Sequence, residues 1–147
     1  MSNENFYEAA VRHWVDGRVL EQEEEYDNAV CMQGFAAECA LKTILRKGRS
    51  IKEIRNYSHF GEELFQDIEM MLLADLGLAA IIDPASGLRL SQNSLPAILF
   101  QNHPARRYYK DEIYSKEDAV NCRRAADSLI REISRLYLDG YIGEDEG

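Results

Sequence analysis

Residues 26–47, YDNAVCMQGFAAECALKTILRK, carry apolar and small side chains almost all the way round a helical wheel. A helix of that kind needs protein on every side, so it belongs at the centre of a bundle. Gly34, Ala36, Ala37 and Ala40 let neighbouring helix axes approach closely. Glu38 lies among Phe35, Ala37, Cys39 and Leu41, where an ionised carboxylate requires an answering cation. Lys42, one helical turn on, stands in the favourable i, i+4 order. The pair reads either as a partly buried ion pair that fixes helix register or as a functional carboxylate with its counter-ion.

Around this segment the periodicity predicts further helices. Residues 5–24 place Phe6, Ala10 and Trp14 beside Tyr7, Val11 and Val15 on one apolar face, with Trp14 as anchor and Arg12 and His13 on the solvated side. Glu21, Glu23, Glu24 and Glu25 read as a solvated helix end, or as a surface for a basic partner. Asp27 or Asn28 is the expected N-cap of the central helix, and Gly48 the residue just past its end. Ser58 is expected to cap a third helix through Phe60, Leu64, Phe65, Ile68, Met71 and Leu72, closed by Gly77. Between 78 and 104 the pattern breaks at DPASG, Pro96 and Pro104, leaving short helices at 78–82 and 94–100. Ser115 and Asp118 form a capping-box pattern that opens the last long helix. Its apolar positions are Ala119, Cys122, Ala126, Leu129, Ile133 and Leu136, with Gly140 as its end and a frayed acidic tail over 143–147. The expected fold is all-α: one domain over 1–147 with its core in 5–138, an up-and-down bundle of four main helices with short additional ones.

A chain of 147 residues with 46% hydrophobic and 29% charged content can bury its own core without a disulfide or metal. Cys31, Cys39 and Cys122 are odd in number, widely spaced and set among apolar neighbours, so they read as small buried hydrophobes. No CxxC, HExxH or Cys/His pair at ligand spacing occurs, so neither a zinc site nor another cofactor is expected. No apolar run approaches the roughly 18–20 residues of a membrane span. The start MSNENFYEAA lacks a basic region followed by an apolar one, which makes the cytoplasm the expected compartment. A net charge of −9 opposes non-specific binding to nucleic acid, so an anionic ligand needs a local concentration of cations.

Two stretches supply one. Arg46, Lys47, Arg49, Lys52 and Arg55 gather around the end of the central helix, and helix-dipole complementarity accounts only for the first two. His59 follows, either as a hydrogen-bond bracket to the loop of Arg55 and Tyr57 or as a ligand contact. In HPARRYYKDE, residues 103–112, Arg106, Arg107 and Lys110 stand beside Tyr108 and Tyr109. That composition suits phosphate contact with base stacking. The alternative is tyrosines packed on the bundle end with the three cations facing water. The nucleotide or phosphate candidates are therefore Arg55, His59, Arg106, Arg107 and Tyr108.

The segment AVCMQGFAAECALKTILRK, with Gly-aromatic-Ala before Glu-Cys-Ala-Leu-Lys, resembles the signature helix of the HEPN (higher eukaryotes and prokaryotes nucleotide-binding) family. Trp14 before it, and His59, Arg107 and Tyr108 after it, match the family's flanking positions in order. The resemblance covers about residues 5–138, with Glu38 and Lys42 as its most specific polar pair. It implies a dimerising helical bundle, often one half of a toxin–antitoxin pair with a minimal nucleotidyltransferase. Many members are ribonucleases that carry an Arg, four to six residues and a His on or near the last long helix. That motif is absent: Arg55 and His59 are too close and in the wrong helix, His103 and Arg106 run in reverse order, and no His follows Arg123 or Arg124. Metal-independent cleavage needs an imidazole for proton transfer and a guanidinium for developing charge. No catalytic residue is therefore assigned. The expected function is a non-catalytic module that binds protein, nucleotide or RNA phosphate as a homodimer. The alternative is a ribonuclease whose atypical site draws on His59 or His103 with Arg106 and Arg107.

Overall fold

The first helix, α1 (Phe6–Gln22), starts at Asn5, whose side-chain oxygen accepts the Glu8 N–H at 2.9 Å and so satisfies one of the unpaired donors of the first turn. The computed structural model describes residues 5–46, 50–54, 67, 68, 70 and 97–138. After α1 the chain turns through Glu24, in the left-handed region at φ 63°, and enters α2 (Tyr26–Leu45). So short a link folds α2 back along α1, and the two helices pack closely. The long C-terminal helix, numbered α5 below, packs against both.

Burial along α2 agrees with its sequence: Ala29, Val30, Gly34, Ala36, Ala37 and Ala40 are buried, as are Leu41, Ile44 and Leu45. These cover more than one face, which makes α2 the central helix. Leu41, Ile44 and Leu45 meet Leu129, Ile133 and Leu136 of the C-terminal helix in the main core, all fully buried. Each contributes about 1.5–3 kcal/mol relative to an exposed side chain. Ile54 and Ile68 close the same core, and a smaller cluster of Ala29, Val30, Ala119 and Cys122 lies toward the start of α2.

Among the described residues short helices follow as α3 (Ile51–Ile54) and α4 (Ala97–Phe100), then a 3₁₀ turn (Ala105–Tyr108). The last helix, α5 (Lys116–Leu138), opens with the expected capping box: Ser115 N–H donates to Asp118 at 3.0 Å, and Asp118 N–H to Ser115 Oγ at 3.2 Å. All six apolar positions expected on its inner face are buried. Helix is the regular structure throughout, and no strand occurs among the described residues. The third helix expected over 58–76, the short one over 78–82, Gly48, Gly77, Gly140 and the tail lie outside the described residues, apart from helical Asp67, Ile68 and Met70.

Four local expectations are corrected. The start of α2 is not capped by Asp27 or Asn28: Glu25 occupies the cap position without a side-chain hydrogen bond. Asp27 serves a longer-range purpose, accepting the N–H groups of Glu112 and Tyr114 at 2.7 Å and that of Ile113 at 3.4 Å. His13 is half-buried against Phe35, with ring centroids 5.8 Å apart, while Val15, expected inside, is 45% exposed. Glu21 accepts two bonds from Arg123 Nε, at 3.0 and 3.2 Å, because α5 brings a guanidinium to the end of α1.

Candidate functional site

At Gly34 the 97–108 segment lies directly against α2. A β-carbon built there would stand 2.5 Å from Arg106 Nη2, 2.8 Å from His103 Nδ1 and 3.1 Å from the Leu99 carbonyl oxygen. Only a residue with no side chain lets both polar groups lie on the helix. On one side of this contact Arg106 is 3% exposed. Its Nη1 donates to the Ile98 and Gln101 carbonyls at 2.6 and 3.2 Å, and its Nη2 to those of Leu99 and Val30 at 2.7 and 3.3 Å. A helix as short as α4 leaves its carbonyls unsatisfied, and the planar guanidinium fork meets several at once while offsetting the negative end of the helix. The bond to Val30 fastens this clip to α2.

On the other side His103 inserts its imidazole, 0% exposed, against Glu38. Its Nε2 lies 2.8 Å from Glu38 Oε1, while Lys42 Nζ donates to Oε2, also at 2.8 Å. The expected Glu38–Lys42 pair is thus present. Sequence reasoning missed the third member, since nothing local connects positions 65 apart. Phe35 packs edge-on to the His103 ring at 4.5 Å, and the Arg107 guanidinium lies 6.0 Å from the Phe35 ring and 4.8 Å from that of Tyr108. Burial depresses the pKa of His13 on the far side of Phe35; Arg12 adds to the shift, and Asp16 and Glu38 oppose it.

The candidate residues therefore separate. Arg106 turns inward, which corrects the expectation that it meets phosphate through its fork or faces water: both terminal nitrogens are committed to backbone carbonyls. Arg107 is exposed, and Tyr108 and Tyr109 are 77% and 45% exposed, so the tyrosines do not pack on the bundle end. Lys110 is exposed beside them. Arg55 and His59 lie outside the described residues, as do Lys47 and Arg49.

Next to this surface, between the start of α2 and the 111–114 segment, opens a cleft of about 480 Å³. Glu24, Glu25, Asp27, Asp111 and Glu112 line it, and their charge repels an anion. A smaller cavity of about 70 Å³ lies under Arg106, Arg107, Tyr109 and Lys110. Burial pushes the Cys31 thiol on its wall upward, against the pull of Arg106. Burial likewise pushes Cys39 and Cys122 up to about 12, which removes both as nucleophiles near neutral pH. Among the described residues no group of three or more His, Cys, Asp or Glu side chains could hold a metal ion. None of the described helices is long and apolar enough to cross a membrane.

No protein-family model, curated protein or solved structure matches this chain. The functional reading therefore rests on its own residues.

Proposed function

We propose that this chain is a non-catalytic binding module of HEPN type, a homodimer that partners a minimal nucleotidyltransferase and contacts nucleotide or RNA phosphate through Arg107, Tyr108 and their neighbours. The observation that carries the non-catalytic reading is the burial of His103. An imidazole that must move a proton on RNA has to reach a ribose hydroxyl. That of His103 is 0% exposed, with Nε2 at 2.8 Å from Glu38. The exposed chemistry close by is a cation over an aromatic ring, Arg107 on Tyr108, with Tyr109 and Lys110 following. Such a surface grips phosphate oxygens by the guanidinium and covers a base by the ring. Glu38 and Lys42 support it from below, by holding the His103 end of the segment in place.

Purified protein incubated with mixed RNA is expected to give no protein-dependent cleavage, with His59→Ala and His103→Ala as controls. Cleavage that either substitution abolishes would establish the ribonuclease alternative. Calorimetric titration with a nucleotide is expected to show binding that Arg107→Ala weakens about tenfold, near 1.4 kcal/mol. Absence of binding to both proteins would leave only the protein-interaction role. Co-purification with a nucleotidyltransferase encoded beside this chain tests that role.

A further inference from the structure

Between the buried Arg106 and the half-buried Tyr114 the chain stands off the bundle as an arch, with residues 107–113 all exposed. Its first foot is the Arg106 guanidinium, held by the carbonyls of Val30, Ile98, Leu99 and Gln101. Its second foot is built on Asp27 of α2. The carboxylate Oδ2 accepts the N–H groups of Glu112 and Ile113, at 2.7 and 3.4 Å, and Oδ1 accepts that of Tyr114 at 2.7 Å. Three successive N–H groups thus converge on one anion, a concavity that a left-handed residue creates in a backbone. Glu112 supplies that residue at φ 65°, a strained conformation for a residue with a side chain, kept only where the surroundings impose it. Tyr114 packs on Ala29 and Val30, with its ring 5.8 Å from the Arg106 guanidinium, so the two feet adjoin. Among the described residues no other hydrogen bond reaches residues 110–113. The path of Tyr109 and Lys110, between the 3₁₀ turn and Glu112, therefore depends on Asp27.

Two effects of this carboxylate oppose each other. Its charge disfavours an anion nearby, since Asp27 lines a small cavity together with Arg107, Tyr109 and Lys110. Two unit charges about 10 Å apart in water change an affinity by only about twofold, and salt screens even that. Its bonds act the other way. Each side chain that a ligand has to immobilise on binding weakens the affinity by about two- to tenfold, and an arch already fixed at both feet avoids that loss. Ordering therefore outweighs charge. We propose that Asp27 is the positioning residue of the nucleotide-contact surface, spending its carboxylate on the backbone of 112–114 so that Tyr109 and Lys110 stand ordered beside Arg107 and Tyr108 before a ligand arrives. Asp27 itself touches no ligand. This rests on the 107–110 surface being the nucleotide contact and adds what fixes its shape.

Loss of the charge tightens the binding of an anion, whereas loss of the bonds weakens it, so the sign of the change separates the two. The full chain is titrated by calorimetry with adenosine 5′-monophosphate and with a short single-stranded RNA, which distinguishes a free nucleotide from a phosphodiester. For whichever probe the wild type binds, Asp27→Ala is expected to weaken binding about tenfold. Its salt dependence is expected to stay that of wild type, because no cation at the surface is lost. Asp27→Asn keeps the size and one acceptor oxygen, and is expected to recover part of the loss. Asp111→Asn removes an equal charge from the same arch without removing a hydrogen bond, and is expected to bind up to about twofold more tightly. If Asp27→Ala does not fold by circular dichroism, Asp27→Asn decides, with a weakening of about threefold or more expected. Asp27 variants that bind as tightly as wild type, or more tightly, overturn the positioning role and leave the surface reading intact. No binding of either probe to the wild-type chain overturns both.

Discussion

A methyl group at Gly34 would occupy the space through which His103 and Arg106 reach α2. Gly34→Ala is therefore expected to cost about 1–3 kcal/mol, the range for overpacking a close contact, and to loosen residues 103–106, read by urea unfolding and amide exchange. Removing the carboxylate between Lys42 and His103 takes away the acceptor that the half-buried ammonium and the buried imidazole share. Glu38→Ala should cost about 1.5–3 kcal/mol in the same experiment, the range for hydrogen bonds to a charged group. His13 sets a pH dependence. Its folded-state pKa lies below the ordinary 6.5, so between those values the unfolded chain binds the proton more readily. Its contribution is complete above 6.5 and is lost as pH falls through that value toward the depressed one. Comparison of His13→Gln with wild type from pH 7.5 to 5 should show a flatter stability curve for the variant. Glu38 and Lys42 were legible in the sequence because both lie on one helical stripe. His103 and the inward turn of Arg106 were not, since their partners are carbonyls and a carboxylate brought near only by the fold.

Among the elements, α1, α2 and α5 were readable because their apolar positions repeat at helical spacing over many turns, so one misread residue does not change the pattern. The cap of α2 was not, because Asp27 could serve its own helix or a distant loop and the choice is tertiary. What joins α1 to α5 is equally silent in the sequence: Trp14 Nε1 donates to Asp127 at 2.7 Å, and Asp127 also meets Arg123 at 3.3 Å, which reaches on to Glu21. Asp127→Ala removes a hydrogen bond to a charged acceptor and should cost about 1.5–3 kcal/mol. The chain has one tryptophan, so its fluorescence reports this junction alone. A wavelength shift with Asp127→Ala that leaves helical content unchanged would place the loss between the helices.

For the whole molecule, a charge of −9 confines any anion to the few places where cations gather, and binding there should fall steeply with added salt. The proposed homodimer is tested by light scattering at micromolar concentration, where twice the chain mass is expected and the mass of one chain would overturn it. Val15 and Val19, 45% and 50% exposed and one turn apart on α1, are apolar surface that such an assembly could cover.

The grip of Asp27 on the backbone of 112–114 sets how this molecule comes apart locally. Residues 109–113 are exposed, and the Asp27 carboxylate, together with the packing of Tyr114 on the Ala29–Val30 cluster, ties the following turn to α2. Opening there requires no disruption of the main core, so it belongs to the low end of the protein's range of opening energies. In Asp27→Ala the bond after Lys110 should become the preferred point of tryptic nicking, and the chain would be cut in two while α1, α2 and α5 remain packed.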